Sequence, residues 1–350
     1  MDSSSSLRSS IQASLPDRRP LLHHLNADTS WLLQLPRPDS DPSSRYWYNI
    51  LIDPWLSGSQ SDIASWFSQQ WHAQPPATES IAAVEVLCQQ VESLTTDLRR
   101  SGSSADGTAS QGTDSTTSMI DVVTISHEFT DHCHRETLLE LRPSVPVFAA
   151  TKAAALVRGW NHFDTVHETP LFSGDKVDWH ETNLEPLPKW LAIARLVEAN
   201  NALYYHSAVL ITFANLYSSG NEGSAEVVVY TPHGIHSEPL QQLTTASPRV
   251  KILALLHGLH DIKLSKAQQL NLGAHNGLQA QRLLEAKYWI GTHDEVKKGG
   301  GIVSWFLRRK IISVKEALEL EGHRGGEEDT KLVDNTAFVD IGNGEVSCLV

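Results

Sequence analysis

Residues 120–132 read Ile-Asp-Val-Val-Thr-Ile-Ser-His-Glu-Phe-Thr-Asp-His. The first seven are mostly apolar and β-branched, a composition that predicts a buried strand. The next six place two imidazoles and a carboxylate in one short turn where that strand ends. Loops at the ends of rigid elements are where sites are usually built, and imidazole with carboxylate is a donor set that suits zinc. The stretch therefore predicts a metal-binding turn after a strand.

Three later strands end in the same way, with ligand-type side chains directly after an apolar run. His233 follows the run at 227–230, His257 and His260 follow 254–256, and His293 follows 288–290. Carboxylates adjoin two of these positions. The repetition indicates one site assembled from several strand ends, with zinc as the expected metal and iron or manganese as alternatives.

Composition narrows the class of partner. The 350 residues are 40% hydrophobic and 20% charged, which is ordinary for a globular protein, and the net charge is −13. Such a charge is a poor match for a nucleic-acid backbone. Three cysteines are too few for a disulfide framework, and no apolar run is long enough to cross a bilayer. We expect a soluble, cytoplasmic protein that acts on a small molecule, with neither nucleic acid nor membrane as partner.

The pattern along the chain predicts one domain over residues 21–345, after a flexible tail at 1–20. Residues 101–118 are nearly all Ser, Gly, Thr, Asp and Ala, so we expect a disordered insertion there. Strands alternate with helices, which predicts an α/β fold of two packed sheets with helices outside. The prediction also includes a helix at 61–71 and short strands at 164–168 and 175–180.

The order of motifs resembles the metallo-β-lactamase superfamily, in particular its ascorbate-phosphate lactonase-like branch, over roughly residues 21–305. In that family an early strand ends in Asp-Pro, as at Asp53. Its signature His-x-His-x-Asp-His is similar to residues 127–132, and its last ligand is a His after a short strand, matched by His293. The resemblance implies a four-layer αββα sandwich and a metal-dependent hydrolase.

The chain departs from the family pattern at three places. Phe129 stands where the signature has its second His, and a phenyl ring cannot ligate. Trp190 stands near the place of the mid-chain His, for which His206 is an alternative candidate. His233 stands where the family has a bridging Asp. Most of the lost ligand residues belong to the first of the family's two metal positions.

The resemblance therefore implies one metal ion, zinc in preference to iron or manganese, rather than two. Its expected ligands are Asp131, His132, His233 and His293. His127 is expected as a fifth ligand or as a hydrogen-bond donor to one of the ligands. A metal-bound hydroxide would attack a small ester, lactone, thioester or phosphodiester. Possible proton relays are His127, Glu128 and His260.

Two other interpretations stay open at this stage. A degenerate, non-catalytic member of the fold that acts as an accessory or binding protein is favoured by Phe129 and Trp190. A redox relative with two irons would need Glu at the third signature position, whereas Glu128 occupies the second. We also expect Asp53 to be structural, His134 to begin the next helix, and the pair at 297–298 to be a solvated face.

Overall fold

Two large β-sheets form the centre of the molecule. The computed structural model describes residues 3–62, 64–102, 117–174, 176–198, 205–214, 225–264, 268–322 and 337–350. The strands within these ranges are β1 (Leu21–His24), β2 (Trp31–Pro36), β3 (Trp47–Ile52), β4 (Ser59–Gln60), β5 (Gln69–Trp71), β6 (Val122–Ile125), β7 (Val147–Ala149), β8 (Val166–Glu168), β9 (Leu191–Val197), β10 (Ser207–Ala214), β11 (Ala225–Thr231), β12 (Val250–His257), β13 (Asp261–Leu264), β14 (Gln268–Asn271), β15 (Tyr288–Ile290), β16 (Lys298–Gly300), β17 (Leu307–Lys310), β18 (Phe338–Val339) and β19 (Val346–Cys348).

Helices connect the strands and cover the sheets. They are α1 (Ser3–Ser14), α2 (Ile81–Gly102), α3 (Arg135–Leu138), α4 (Thr151–Gly159), α5 (Ser237–Thr244), α6 (Ala274–Leu284) and α7 (Val314–Gly322). The first sheet has the order β19-β1-β2-β3-β6-β7-β8, and the second has the order β18-β15-β12-β11-β10-β9. In the first sheet the neighbouring strands β3, β6, β7 and β8 are parallel. In the second sheet the neighbouring strands β11, β12, β15 and β18 are parallel. Parallel neighbours need long crossovers, and these contain α2, α4, α5 and α6.

The main core lies between the two sheets. Ile50 and Ile52 of β3 belong to the same buried cluster as Ile193 of β9, Ile211 of β10 and Val228 of β11. On the outer face of the first sheet, residues of α2 and α4 form a second cluster. Residues of α5 and α6 do the same on the second sheet. The predicted αββα layering is confirmed.

Topology determines where the site lies. β3 and β6 are parallel neighbours, and so are β11, β12 and β15. The carboxyl ends of parallel strands meet at one edge of a sheet, which is where ligands bind in open α/β sheets. Asp53, the turn at 126–132, His233 and His293 all directly follow such ends.

The N-terminal segment corrects one prediction. Residues 1–20 were expected to be a flexible tail, but α1 occupies much of them, with Leu7 and Ile11 buried beside Trp47 and Val91. Leu7 and Ile11 are four residues apart, so they share one side of a helix. The serines around them obscured this short apolar stripe. At the C-terminal end, the predicted domain stopped at residue 345, but β19 lies beyond that position and pairs with β1.

Two local predictions were wrong. The expected helix at 61–71 is a turn region that ends in β5, which pairs with β4 and β16 and thereby satisfies its backbone groups. The expected strand at 175–180 gives way to a 3-10 turn at Trp179–Thr182. Asp178 begins this turn, and its carboxylate accepts the backbone N–H of His180.

The predicted insertion falls largely on residues 103–116, which lie outside the described residues. Among those described, no helix has the length and apolarity to cross a membrane.

Candidate metal centre

Four ligand-type side chains from three strand ends lie close together, and with His127 they form two overlapping groups that share His132: Asp131 with His132 and His293, and His127 with His132 and His233. Asp131 and His132 come from the turn after β6, His233 follows β11, and His293 follows β15; all four are buried. The Nε2 atoms of His132 and His233 lie 3.0 Å apart. Nε2 of His132 is 3.7 Å from Oδ1 of Asp131, and Nε2 of His293 is 3.8 Å from Oδ2 of Asp131. The structure thus brings together all four residues that the sequence predicted as ligands.

The orientation of His132 is determined by Asp53. Oδ2 of Asp53 lies 2.7 Å from Nδ1 of His132, and neither side chain is exposed to solvent. The same carboxylate accepts the backbone N–H of Ser126 at 2.7 Å and the Tyr230 hydroxyl at 2.8 Å. A carboxylate so occupied accepts a hydrogen bond from Nδ1–H of His132, which leaves the lone pair of His132 on Nε2. Asp53 is therefore a structural residue, as expected.

His233 and His293 are held in the same manner. Nδ1 of His233 lies 2.9 Å from Oδ1 of Asn271, at the end of β14. Nδ1 of His293 lies 3.1 Å from Oδ1 of Asp28, in the turn between β1 and β2. Each acceptor oxygen fixes the tautomer with the proton on Nδ1, so both Nε2 atoms present lone pairs.

Facing lone pairs demand a positive charge between them. If Nδ1 carries the proton in both rings, the Nε2 atoms of His132 and His233 are two acceptors at 3.0 Å, which repel unless a proton or a cation lies between them. Two nitrogens bound to one tetrahedral zinc lie about 3.3 Å apart, given Zn–N bonds of about 2.0–2.1 Å. The donor types and spacing therefore fit a metal ion.

His127 is near these residues but is oriented differently. Its Nδ1 lies 2.8 Å from the hydroxyl of Ser126, and its Nε2 lies 2.9 Å from the backbone carbonyl of Tyr205. A carbonyl oxygen only accepts, so Nε2–H donates a hydrogen bond to Tyr205 and offers no lone pair to a metal. His127 can be grouped with His132 and His233 by distance, but its hydrogen bonds make it an anchor for the start of β10.

At the positions where the chain departs from the family pattern, the side chains make apolar contacts or lie away from the imidazole cluster. The Phe129 ring stacks on Tyr205, with centroids 4.9 Å apart and planes at 15°, and its centroid is 6.2 Å from that of His233. Trp190 donates from Nε1 to Asp41 at 3.2 Å and packs on Tyr48. His206 precedes β10, with its ring 5.6 Å from that of His236. Neither Trp190 nor His206 joins the cluster.

The remaining candidates have partners of their own. Nδ1 of His260 accepts from Arg309 at 2.8 Å, and burial, with Arg309, lowers the pKa of His260 to about 4. Glu128 pairs with Lys152 at 3.4 Å. His257 is buried and bonds to Asn276 at 2.7 Å. His134 is the N-cap of α3, as expected.

Sequence reasoning missed two charged residues at the centre, Asp28 and Lys297. Lys297 was expected on a solvated face, but its side chain is only 5% exposed. Its Nζ lies 2.6 Å from Oδ2 of Asp131 and 2.8 Å from Oδ2 of Asp28, and 5.2 Å from the centroid of the Trp55 ring. The adjacent Lys298 is exposed. No local signal identifies Lys297, because the carboxylates that surround it come from distant parts of the chain.

Titration behaviour reflects this arrangement. Burial opposes the charge on Asp131, but Lys297 and His132 hold its pKa well below the ordinary value. Burial likewise opposes the charge on Lys297, yet Asp131 and Asp28 raise its pKa. Burial lowers the pKa of His233 well below its usual range, with His127 and His132 adding to the effect. For His132 burial is outweighed by Asp131 and Asp53, so its pKa is raised. His233 is thus neutral at pH 7, the form that binds metal.

Comparison with known proteins shows similarity in structure alone. No family model matches the chain, and no curated protein matches it in sequence. The isothiocyanate hydrolase from Delia radicum gut bacteria is 12% identical, over 94% of this chain and 99% of that one, with a TM-score of 0.51. A possible metal-dependent hydrolase from Veillonella parvula is 10% identical, over 95% and 100%, with a TM-score of 0.52. The chain has the metallo-β-lactamase fold.

This fold was predicted from residues 127–132 and the strand ends that follow, and it is confirmed. The metallo-beta-lactamase fold protein YhfI from Bacillus subtilis also matches, at 11% identity over 93% of this chain and 98% of that one, with a TM-score of 0.45. The lactonase-like branch stays a prediction.

Proposed function

We propose that this metallo-β-lactamase-fold chain is a hydrolase that binds one divalent metal ion through Asp131, His132, His233 and His293. The observation that carries the proposal is the 3.0 Å separation of two Nε2 atoms, in His132 and His233, whose Nδ1 atoms are both directed at oxygen acceptors. Nothing but a proton or a cation satisfies such a pair, and a carboxylate and a third imidazole stand next to it.

Zinc is the metal we propose. Three neutral imidazoles with one carboxylate form a nitrogen-rich set of borderline donors, and three or four protein ligands with an open position are typical of catalytic zinc. Iron and manganese accept the same donor types and are the alternatives that metal analysis would distinguish.

The surrounding residues would orient and tune the ligands. Asp53, Asn271 and Asp28 hold the three imidazoles by their Nδ1 atoms, and such partners raise ligand basicity. A metal held by Asp131 and the three imidazoles would supply Lewis-acid chemistry, namely activation of water and polarisation of a carbonyl or phosphoryl oxygen. Lys297 adds a positive charge beside Asp131 in a protein of net charge −13.

The substrate class follows from this chemistry. We propose a small ester, lactone, thioester or phosphodiester, because each has an oxygen that a Lewis acid can polarise and a bond that water can cleave. We keep both His127 and His260 as candidate relays, because each has a ring nitrogen engaged elsewhere: Nε2 of His127 bonds to the Tyr205 carbonyl, and Nδ1 of His260 accepts from Arg309. Free thiols at Cys88, Cys133 and Cys348 support a reducing, cytosolic setting.

Metal analysis of the purified protein tests the proposal first. We expect about one equivalent of tightly held metal, and less than about half an equivalent would count against it. Asp131→Ala and His293→Ala should each lose the metal. His180→Ala is the matched control, because it removes a half-exposed imidazole outside the cluster and should retain the metal.

Turnover is tested with a panel of chromogenic esters, lactones, thioesters and phosphodiesters, each with and without chelator. Hydrolysis that the chelator abolishes and added zinc restores is the expected result. Bound metal without chelator-sensitive turnover of any substrate would favour the alternative, a non-catalytic binding protein. One observation supports that alternative: the phenyl ring of Phe129 lies against His127 and Tyr205, where a ligand would otherwise stand.

A further inference from the structure

The side chain of Lys297 crosses the centre and ends between two buried carboxylates. Its ammonium lies 2.6 Å from Oδ2 of Asp131 and 2.8 Å from Oδ2 of Asp28, and the carboxyl group of Asp28 is fully buried. An ammonium held between two carboxylates at these distances makes the charge-assisted contacts that a bound cation would make.

The two oxygens of Asp131 have different neighbours. Oδ1 is directed at the imidazoles, 3.7 Å from Nε2 of His132, whereas Oδ2 bonds to Lys297. His293 stands at the same boundary. Its Nδ1 contacts Asp28, and its Nε2 is 3.8 Å from Oδ2 of Asp131. The imidazole-lined position and the ammonium therefore share Asp131, much as two metal ions share a bridging carboxylate.

Charge balance leaves little attraction for a second dication on this side. Asp28 and Asp131 carry two negative charges, and Lys297 neutralises one of them. A dication that used Oδ2 of either carboxylate would have to displace the ammonium or lie in contact with it, and like charges at contact distance in a buried site repel strongly.

We propose that the ammonium of Lys297 takes the place of a second metal ion, so that the centre holds one dication and gains a second site when Lys297 is replaced by a neutral residue. The inference rests on the proposed metal site, and it gives single-metal stoichiometry a cause other than Phe129. The second site of the variant would use Oδ2 of Asp28 and Oδ2 of Asp131, hard oxygen donors that suit Mn²⁺.

Manganese stoichiometry tests this without an activity assay. The metal-free protein is dialysed against a series of Mn²⁺ concentrations, and bound metal is measured by mass spectrometry. We expect one equivalent for the natural chain and two for Lys297→Met, whose side chain is similar in length but uncharged. Lys297→Arg keeps the positive charge and should bind one. Lys298→Met changes the exposed neighbour and should also bind one.

Each outcome has a distinct meaning. Two equivalents on the natural chain would overturn the role of Lys297 and leave the proposed hydrolase intact. One equivalent on folded Lys297→Met, at every concentration that saturates the first site, would also overturn it. No Mn²⁺ on the natural chain would defeat this inference, and no zinc there either would defeat the proposed function with it.

A spectroscopic measurement covers the case in which Lys297→Met does not fold. Electron paramagnetic resonance of the natural chain in excess Mn²⁺ should show only isolated Mn²⁺, since a second ion is excluded. An exchange-coupled spectrum from two neighbouring Mn²⁺ ions would refute the proposal without any variant.

Discussion

The carboxylate of Asp53 lies 2.7 Å from Nδ1 of His132, and both side chains are completely buried. Asp53 directly follows β3 and holds a positive φ of 42°, a conformation that costs energy for a residue with a side chain. Its backbone therefore bends at the point from which the carboxylate reaches Ser126 after β6, Tyr230 and His132. One residue thus joins both sheets to the candidate ligand.

Replacement of Asp53 by Asn should weaken metal binding. The amide has no negative charge to stabilise Nδ1–H of His132, and loss of such a partner typically costs about 10–100-fold in metal affinity. Competition against a chromophoric chelator measures the change. Asp39→Asn, at an 80% exposed side chain, is the control and should bind as the natural chain does. Unchanged affinity in Asp53→Asn would refute the orienting role.

Zinc should raise the melting temperature through the imidazole cluster. A ligand at 100 times its Kd stabilises the folded state by about 2.7 kcal/mol, which corresponds to a rise of roughly 4 °C in a chain of this size. His132→Ala and His233→Ala should show no rise, and His180→Ala should keep it. Thermal scans with zinc and with chelator provide the measurement. A full rise in both cluster variants would place the bound zinc elsewhere.

Loss of the buried Ile11 side chain should destabilise the whole protein. Ile11 is 0% exposed in the cluster with Trp47, and truncation of a buried Ile to Ala costs about 2–5 kcal/mol. The free energy of unfolding from urea titration checks this for Ile11→Ala. Gln12→Ala, at the exposed neighbour, should change it by less than about 0.5 kcal/mol. Equal stability of the two variants would support a flexible tail.

His23 should make the protein sensitive to acid. Burial lowers the pKa of His23 from 6.5 to about 4, although the side-chain amide of Gln34 accepts its Nε2–H at 2.7 Å. Because the folded-state pKa lies below the unfolded-state value, the unfolded chain binds more protons between them. Stability is therefore full above pH 6.5 and falls as the pH drops towards 4.

His23→Gln removes the titrating group and keeps a donor for Gln34. Between pH 7 and pH 4.5 the natural chain should lose about 2 kcal/mol more stability than this variant, given 1.36 kcal/mol per pKa unit. Urea unfolding at both pH values measures the difference. Parallel losses in the two proteins would show that His23 does not titrate as its burial implies.

The sequence by itself determined the αββα layering and four of the side chains at the centre. Both are local properties, because apolar runs form strands and a ligand-type residue placed just after such a run is carried to the sheet edge. Strand ends alone pointed to several histidines, and the resemblance to the metallo-β-lactamase superfamily selected Asp131, His132, His233 and His293. The same local reasoning failed at 61–71, where pairing with β16 from far along the chain decided the structure.

Only the tertiary structure decided what surrounds those ligands. Asp28 reaches His293 across 265 positions of sequence, and Lys297 reaches Asp131 across 166. No local pattern distinguishes a lysine that turns into a buried pair of carboxylates from one that extends into water, since the difference lies in the cavity that other segments build. Phe129 alone suggests a single metal ion from the sequence, whereas the buried ammonium of Lys297, 2.6 Å from Asp131, is visible only in the folded chain.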